Sequence, residues 1–138
     1  MTKRLPLARF IAQERITMAQ PEWVDRNPNM DLDGWSQTAS HYKVRLRHKG
    51  KTLTTYFSLG SAHTSEPELA SVLSCLADDA AGAVNAQGFE DWCSEYGYDT
   101  DSRKAERTYN TIIRQAGKLE SFLGPEAYST LLWNTDRE

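Results

Sequence analysis

The chain is poor in cysteine: Cys75 and Cys93 are the only two in 138 residues. Their spacing fits no metal or redox motif, so no disulfide framework is expected, and both read as packing residues kept reduced in the cytosol. No apolar run exceeds five residues. A membrane-spanning helix needs about 20, so no membrane span is expected. The N-terminus, Met1-Thr2-Lys3-Arg4-Leu5-Pro6, is basic but lacks the apolar stretch and cleavage site of a signal peptide. A cytoplasmic location is the expectation.

Local signatures of catalysis are also missing. No HExxH, CxxC, His-x-His or G-x-S-x-G occurs. The histidines are His41, His48 and His63, and a zinc site from His63, Cys75 and Cys93 has no supporting spacing. Asp99-Thr100-Asp101-Ser102-Arg103 opens like a calcium loop. Its sixth position is Lys104 instead of glycine, however, and its twelfth is Asn110 instead of a bidentate acid. Gly60-Ser61-Ala62-His63 lacks the phosphate-loop pattern, and Glu66 and Glu68 beside it would repel an anion. No enzyme, cofactor or metal site is expected.

One sign of charge is absent over a long stretch. Residues 64–102 hold no lysine or arginine and nine acids: Glu66, Glu68, Asp78, Asp79, Glu90, Asp91, Glu95, Asp99 and Asp101. Residues 41–51 hold five cations, Lys43, Arg45, Arg47, Lys49 and Lys51, and no acid. Net charge is only −3, so the chain is dipolar along its length.

What is present suffices for one domain. The chain is 39% apolar and 25% charged, a composition that can bury a core. Tyr42, Val44 and Leu46 alternate with Lys43, Arg45 and Arg47, and a β-rich run resumes at Leu53–Phe57 after His48-Lys49-Gly50-Lys51. That pattern predicts a hairpin with one apolar face and a basic row on the other. Looser alternation of Phe10, Ala12, Ile16 and Met18 predicts a strand over 9–18. Trp23 and Trp35, in the Pro- and Asn-rich stretch that follows, read as anchors pinning a loop to the core or as an exposed contact surface.

Ser65 with Glu68, and Pro67 in the first turn, form a capping-box start for a helix to about Ala83, with Leu69, Val72, Leu73, Leu76 and Ala80 inward. Asp78 and Asp79 lie toward its C-terminal end, against the helix dipole. A short helix over Phe89–Tyr96 puts Phe89, Trp92, Cys93 and Tyr96 on its inner face. Asp101 is expected to cap a long helix from Ser102 to Leu123, and Pro125 to start a last one through Trp133. Residues 134–138 are expected to fray. The fold class is α+β: a small antiparallel sheet, made of the hairpin and an N-terminal strand, packed by about four C-terminal helices. One domain is expected over 1–138, β-rich in 1–60 and helical in 61–133.

Two segments carry a resemblance. One is Tyr56-Phe57-Ser58-Leu59-Gly60-Ser61-Ala62-His63, followed by Pro67, Val72-Leu73, Cys75-Leu76 and Asp79-Ala80. The other is Phe89-Glu90-Asp91-Trp92-Cys93-Ser94-Glu95-Tyr96-Gly97-Tyr98-Asp99, followed by the run from Asp101 to Tyr109. Over roughly 41–124 the chain resembles small uncharacterised proteins of phages and other mobile elements. The resemblance implies no catalytic residues. It implies a context in which small acidic proteins inhibit host defence proteins, such as CRISPR effectors. The leading expectation is therefore an inhibitor that binds the basic, nucleic-acid-binding groove of a host protein, with Asp78, Asp79, Glu90, Asp91 and Glu95 as contacts. The alternative is a nucleic-acid-binding accessory protein using Lys43, Arg45, Arg47, Lys49 and Lys51.

Overall fold

The hairpin forms where the alternation places it. In the computed structural model, which describes residues 4–25, 40–59 and 67–137, β4 (Ser40–His48) and β5 (Lys51–Leu59) pair antiparallel in continuous register. Lys49 and Gly50 both take positive φ, 48° and 81°, the two-residue turn whose twist matches paired strands. Tyr42, Val44 and Leu46 face Phe57, Thr55 and Leu53 on the inner side, and Val44 and Leu46 are fully buried. Lys43, Arg45 and Arg47 face Tyr56, Thr54 and Thr52 on the outer side.

The N-terminal segment differs from expectation. Its main element is a helix, α1 (Leu7–Glu14), preceded by β1 (Leu5–Pro6), and the strand shrinks to β2 (Thr17–Met18). Leu7, Phe10, Ile11 and Glu14 follow helical spacing, which outweighs the loose alternation of Phe10, Ala12, Ile16 and Met18. Leu7 and Phe10 are buried, whereas Ala12 is exposed. Arg15 then ends the helix in the left-handed conformation, turning Ile16 into the core. β2 and β3 (Glu22–Val24) both pair antiparallel with β4, on the edge away from β5. Trp23 is 61% exposed, which fits the contact-surface alternative better than a core anchor, while Trp35 lies outside the described residues.

Four helices follow the hairpin: α2 (Leu69–Asn85), α3 (Phe89–Tyr96), α4 (Arg103–Leu123) and α5 (Pro125–Trp133). The fold class is α+β, as the segregated pattern requires. Two starts are corrected. Glu68 is itself the N-cap of α2 and makes no side-chain cap bond, so Pro67 precedes the helix, and Ser65 lies outside the described residues. Ser102, not Asp101, caps α4: its Oγ accepts from the Ala105 N–H at 3.2 Å. The Asp101 N–H is drawn into a turn with Asp99 Oδ1 at 3.0 Å.

The helix ends are capped from elsewhere in the chain, which fixes the layers against one another. The last carbonyls of α4 lack helical partners. His48 Nδ1 donates to Phe122 O at 3.1 Å, and Lys51 Nζ to Ser121 O at 2.9 Å, both from the hairpin tip. Arg137 does the same for α5, with Nη1 donating to Leu131 O and Leu132 O at 2.8 and 2.9 Å. Residues 134–137 therefore do not fray: β6 (Thr135–Asp136) pairs in parallel with β1, while Glu138 lies outside the described residues.

The main core lies between the inner sheet face and α1, α2, α4 and α5, around Phe10, Leu46, Leu73, Leu119 and Leu131. A second, smaller cluster of Trp92, Cys93 and Ala105, with Phe89, Tyr109 and Ile112, holds α3 to α4. Cys93 is fully buried as expected, but Cys75 is exposed. No helix among the described residues is long and apolar enough to cross a membrane.

Candidate functional site

The five acids singled out in the sequence are all exposed, but they have different surroundings. Asp78 Oδ1 accepts from Arg137 Nη2 at 2.7 Å and from Nε at 3.0 Å. α2 runs on to Asn85, which leaves Asp78 near its middle and clear of the negative end, and the pair holds the C-terminal residues down. Asp91 Oδ2 accepts from the Gln87 N–H at 3.1 Å. With Glu90, Asp91 lies in the first turn of α3, where negative charge suits the dipole. Glu90 and Glu95 enter no ion pair among the described residues.

Of these five, Asp79 lines a pocket. A cavity of about 380 Å³ is lined by Asp79, Tyr56, Trp92, Tyr96, Tyr98, Thr108, Thr111, Ile112 and Gln115. Its aromatic wall is ordered by stacking. Trp92 lies at the centre, parallel to Tyr98 at 4.9 Å and 9°, with Tyr96 and Tyr109 tilted against it at 5.5 and 5.2 Å. Offset and edge contacts of this kind add about 0.5–1.5 kcal/mol each beyond burial. Trp92 is 3% exposed, but Tyr96 is 52% and Tyr98 37%, so the wall turns tyrosine faces and edges to solvent. Partial desolvation, although the residue stays in contact with solvent, and secondly the Asp78 charge hold the Asp79 carboxyl above its ordinary value.

Two local features build this pocket. Gly97 ends α3 at φ 76°, and the chain reverses so that Tyr98 folds back over Trp92. At Gly82 of α2 a Cβ would collide with the Tyr96 hydroxyl, so glycine there admits the end of α3. Spacing marked Phe89, Trp92 and Tyr96 as an inner face, and the first two do pack there, but Tyr96 sits at the rim. The sequence marks Tyr56 only as an aromatic beside the basic strand, and gives Tyr98, Thr108, Thr111 and Gln115 no place in a site. The legible signal for Tyr98 was an aromatic residue directly after a glycine helix stop.

The basic candidates separate as well. Arg47 is exposed on the outer sheet face, Lys43 is half-buried there, and Arg45 lies 3.9 Å from Glu22 Oε2. Lys49 occupies the turn, and Lys51 leaves the basic row to cap α4. His48 is structural: its ring is buried, and Nε2 meets Glu14 Oε1 at 2.9 Å. His63 lies outside the described residues, among which no three His, Cys, Asp or Glu side chains gather as a metal site. Comparison with protein-family models, curated proteins and solved structures returns no match to this chain.

Proposed function

We propose that this chain is a docking protein whose acidic helical end engages a cationic surface of a partner protein. The observation that carries the reading is the pocket in which the Asp79 carboxylate stands among tyrosine rings. Lysine and arginine side chains are attracted both to a carboxylate and to aromatic faces, most strongly where water is partly excluded. Glu90, Asp91 and Glu95 extend the negative surface along α3, whose last residue, Tyr96, lines the pocket. The phage-like wording of 56–63 and 89–109 adds the context. In this reading the partner is a host defence protein, such as a CRISPR effector, and the acidic surface occupies its nucleic-acid groove.

The test is capture from nuclease-treated host lysate by the immobilised protein, with bound proteins identified by mass spectrometry. Wild type should retain a basic protein that salt or an added oligonucleotide releases. A variant carrying Asp79→Lys, Glu90→Lys, Asp91→Lys and Glu95→Lys should lose it. Unchanged capture by that variant refutes the reading.

A second reading has its own observation. Lys43, Arg45 and Arg47 share the outer sheet face, with Tyr56 directly opposite Lys43, a cationic row beside a ring on which a base can stack. Nucleic-acid binding through this face would strengthen as salt falls. Absence of any gel shift with single- or double-stranded DNA or RNA at low salt removes it.

A further inference from the structure

We infer that the free edge of β5 and the facing side of α4 form a groove that takes an extended acidic segment of a partner polypeptide as an added strand. Among the described residues β5 pairs with β4 alone. Consecutive residues from 51 to 56 line two adjoining cavities, of about 920 and 90 Å³, whose other wall is α4, joined in the smaller one by Leu76 of α2. Consecutive side chains point to opposite faces of a strand, so a cavity touching all of them follows its edge. Six residues of edge give about 20 Å of groove.

Three observations argue for an occupant of this kind. First, past Lys51, whose Nζ is drawn to Ser121 O, the strand's own sequence carries none of the usual edge protection. Natural edge strands are blunted by charge, proline or bulges, yet Thr52 to Leu59 contains no charged residue and no proline. Second, Lys51, Arg114 and Lys118 line the groove and, among the described residues, no carboxylate does, so the complementary segment is acidic. Third, the groove is kept open at a cost in helix propensity. Gly117 stands in the middle of α4, and a Cβ there would meet nothing within 4 Å. No packing requires glycine at this position, but its absent side chain widens the floor. Below the groove, Thr55 is 5% exposed and lines the smaller cavity, and its Oγ1 has no hydrogen-bond partner among the described residues. That hydroxyl is placed to meet a polar group on a small side chain entering there. A backbone ladder favours a polypeptide, because nucleic acid offers no alternating amide donors and acceptors to a strand edge.

The experiment is selection of a random octapeptide display library on the immobilised full chain, followed by fluorescence anisotropy with the enriched peptides. Acidic peptides should be enriched, and salt should weaken them. Gly117→Phe, and the pair Arg114→Glu with Lys118→Glu, should each weaken them at least about tenfold. Gly117→Ala and Arg45→Glu should leave them within about twofold. Circular dichroism should show Gly117→Phe folded, as open space above the helix requires. N-methylation of alternate peptide amides should abolish binding. Several results overturn the inference: no peptide that separates wild type from Gly117→Phe, undiminished binding of the N-methylated peptide, oligo(dT) displacing the peptides more strongly than they displace one another, or a dimer in sedimentation that blocks the groove with a second copy.

Discussion

Replacing His48 with alanine should be among the most damaging single changes to this fold. The side chain is 2% exposed and joins three elements: the end of β4, the last residue of α1 and the last turn of α4. Losing the bond to Phe122 O costs about 1 kcal/mol, and losing the bond to the Glu14 carboxylate about 2 kcal/mol. The ring also packs on Phe122 at 5.7 Å, a contact worth about 1 kcal/mol. The sum, about 4 kcal/mol, matches the scale for breaking a buried polar pair and leaving one member behind. Against a typical stability of about 5–15 kcal/mol, that is a large share. With an unfolding entropy of about 2.1 cal/mol/K per residue, a chain of 138 residues should lose about 10–15 °C in Tm. Glu14→Gln keeps an oxygen acceptor at the same place and should cost only about 1 kcal/mol. Urea titration followed by circular dichroism measures both. A loss below about 1 kcal/mol for His48→Ala would refute the view that this side chain staples hairpin to helices.

Three further outcomes follow from the geometry. Gly117→Ala should stabilise the fold by up to about 1 kcal/mol, since the helix gains propensity and nothing is displaced; a loss in the same urea titration would mean that the position is crowded. Asp79→Asn should be more stable than wild type at neutral pH. The folded state holds the Asp79 proton more tightly than the unfolded chain does, so its ionisation is a penalty that grows as pH rises above the ordinary aspartate range and vanishes below it; unfolding curves at pH 3 and pH 7 would show the gap opening. Arg137→Ala should cost about 2 kcal/mol, mostly through the abandoned carbonyls of Leu131 and Leu132, and amide exchange should rise selectively in the last turn of α5.

The parts of this fold that were legible in the sequence are those decided locally. The hairpin needed only strict alternation around a Lys-Gly turn, and α3, α4 and α5 were bracketed by Gly88, Gly97, Gly124 and Pro125. α1 escapes the alternation because Phe10, Ala12, Ile16 and Met18 all keep a period of two, while the helical set Leu7, Phe10, Ile11 and Glu14 begins before residue 9, where the expected strand starts. The C-terminal residues were read as frayed because their anchors are distant: Arg137 finds Asp78 across 59 positions, and Thr135 pairs with Leu5. The same limit hid the pocket. Its wall draws Tyr56 from a strand, Asp79 from α2, Tyr98 from a loop and Gln115 from α4, and no window of sequence contains them together.

Asp78 and Asp79 carry this limit into the function itself. One step along a helix is about 100° of rotation, which is enough to give two adjacent carboxylates unrelated work. Asp78, 63% exposed at the side chain, turns to Arg137, while Asp79 turns to the tyrosines. Reversing both at once would mix a loosened C-terminus with an altered pocket. Separating them discriminates between two forms of acidic docking. If affinity depends on total negative charge, Asp78→Asn and Asp79→Asn should weaken the partner equally. If the aromatic pocket receives a cationic side chain, Asp79→Asn should weaken it at least about tenfold and Asp78→Asn hardly at all. Tyr96→Leu, which keeps an apolar side chain but removes the ring, should then fall with Asp79, because a cation–π contact needs the aromatic face. Equal losses for the two aspartates would return the interaction to diffuse electrostatics and remove the pocket from it.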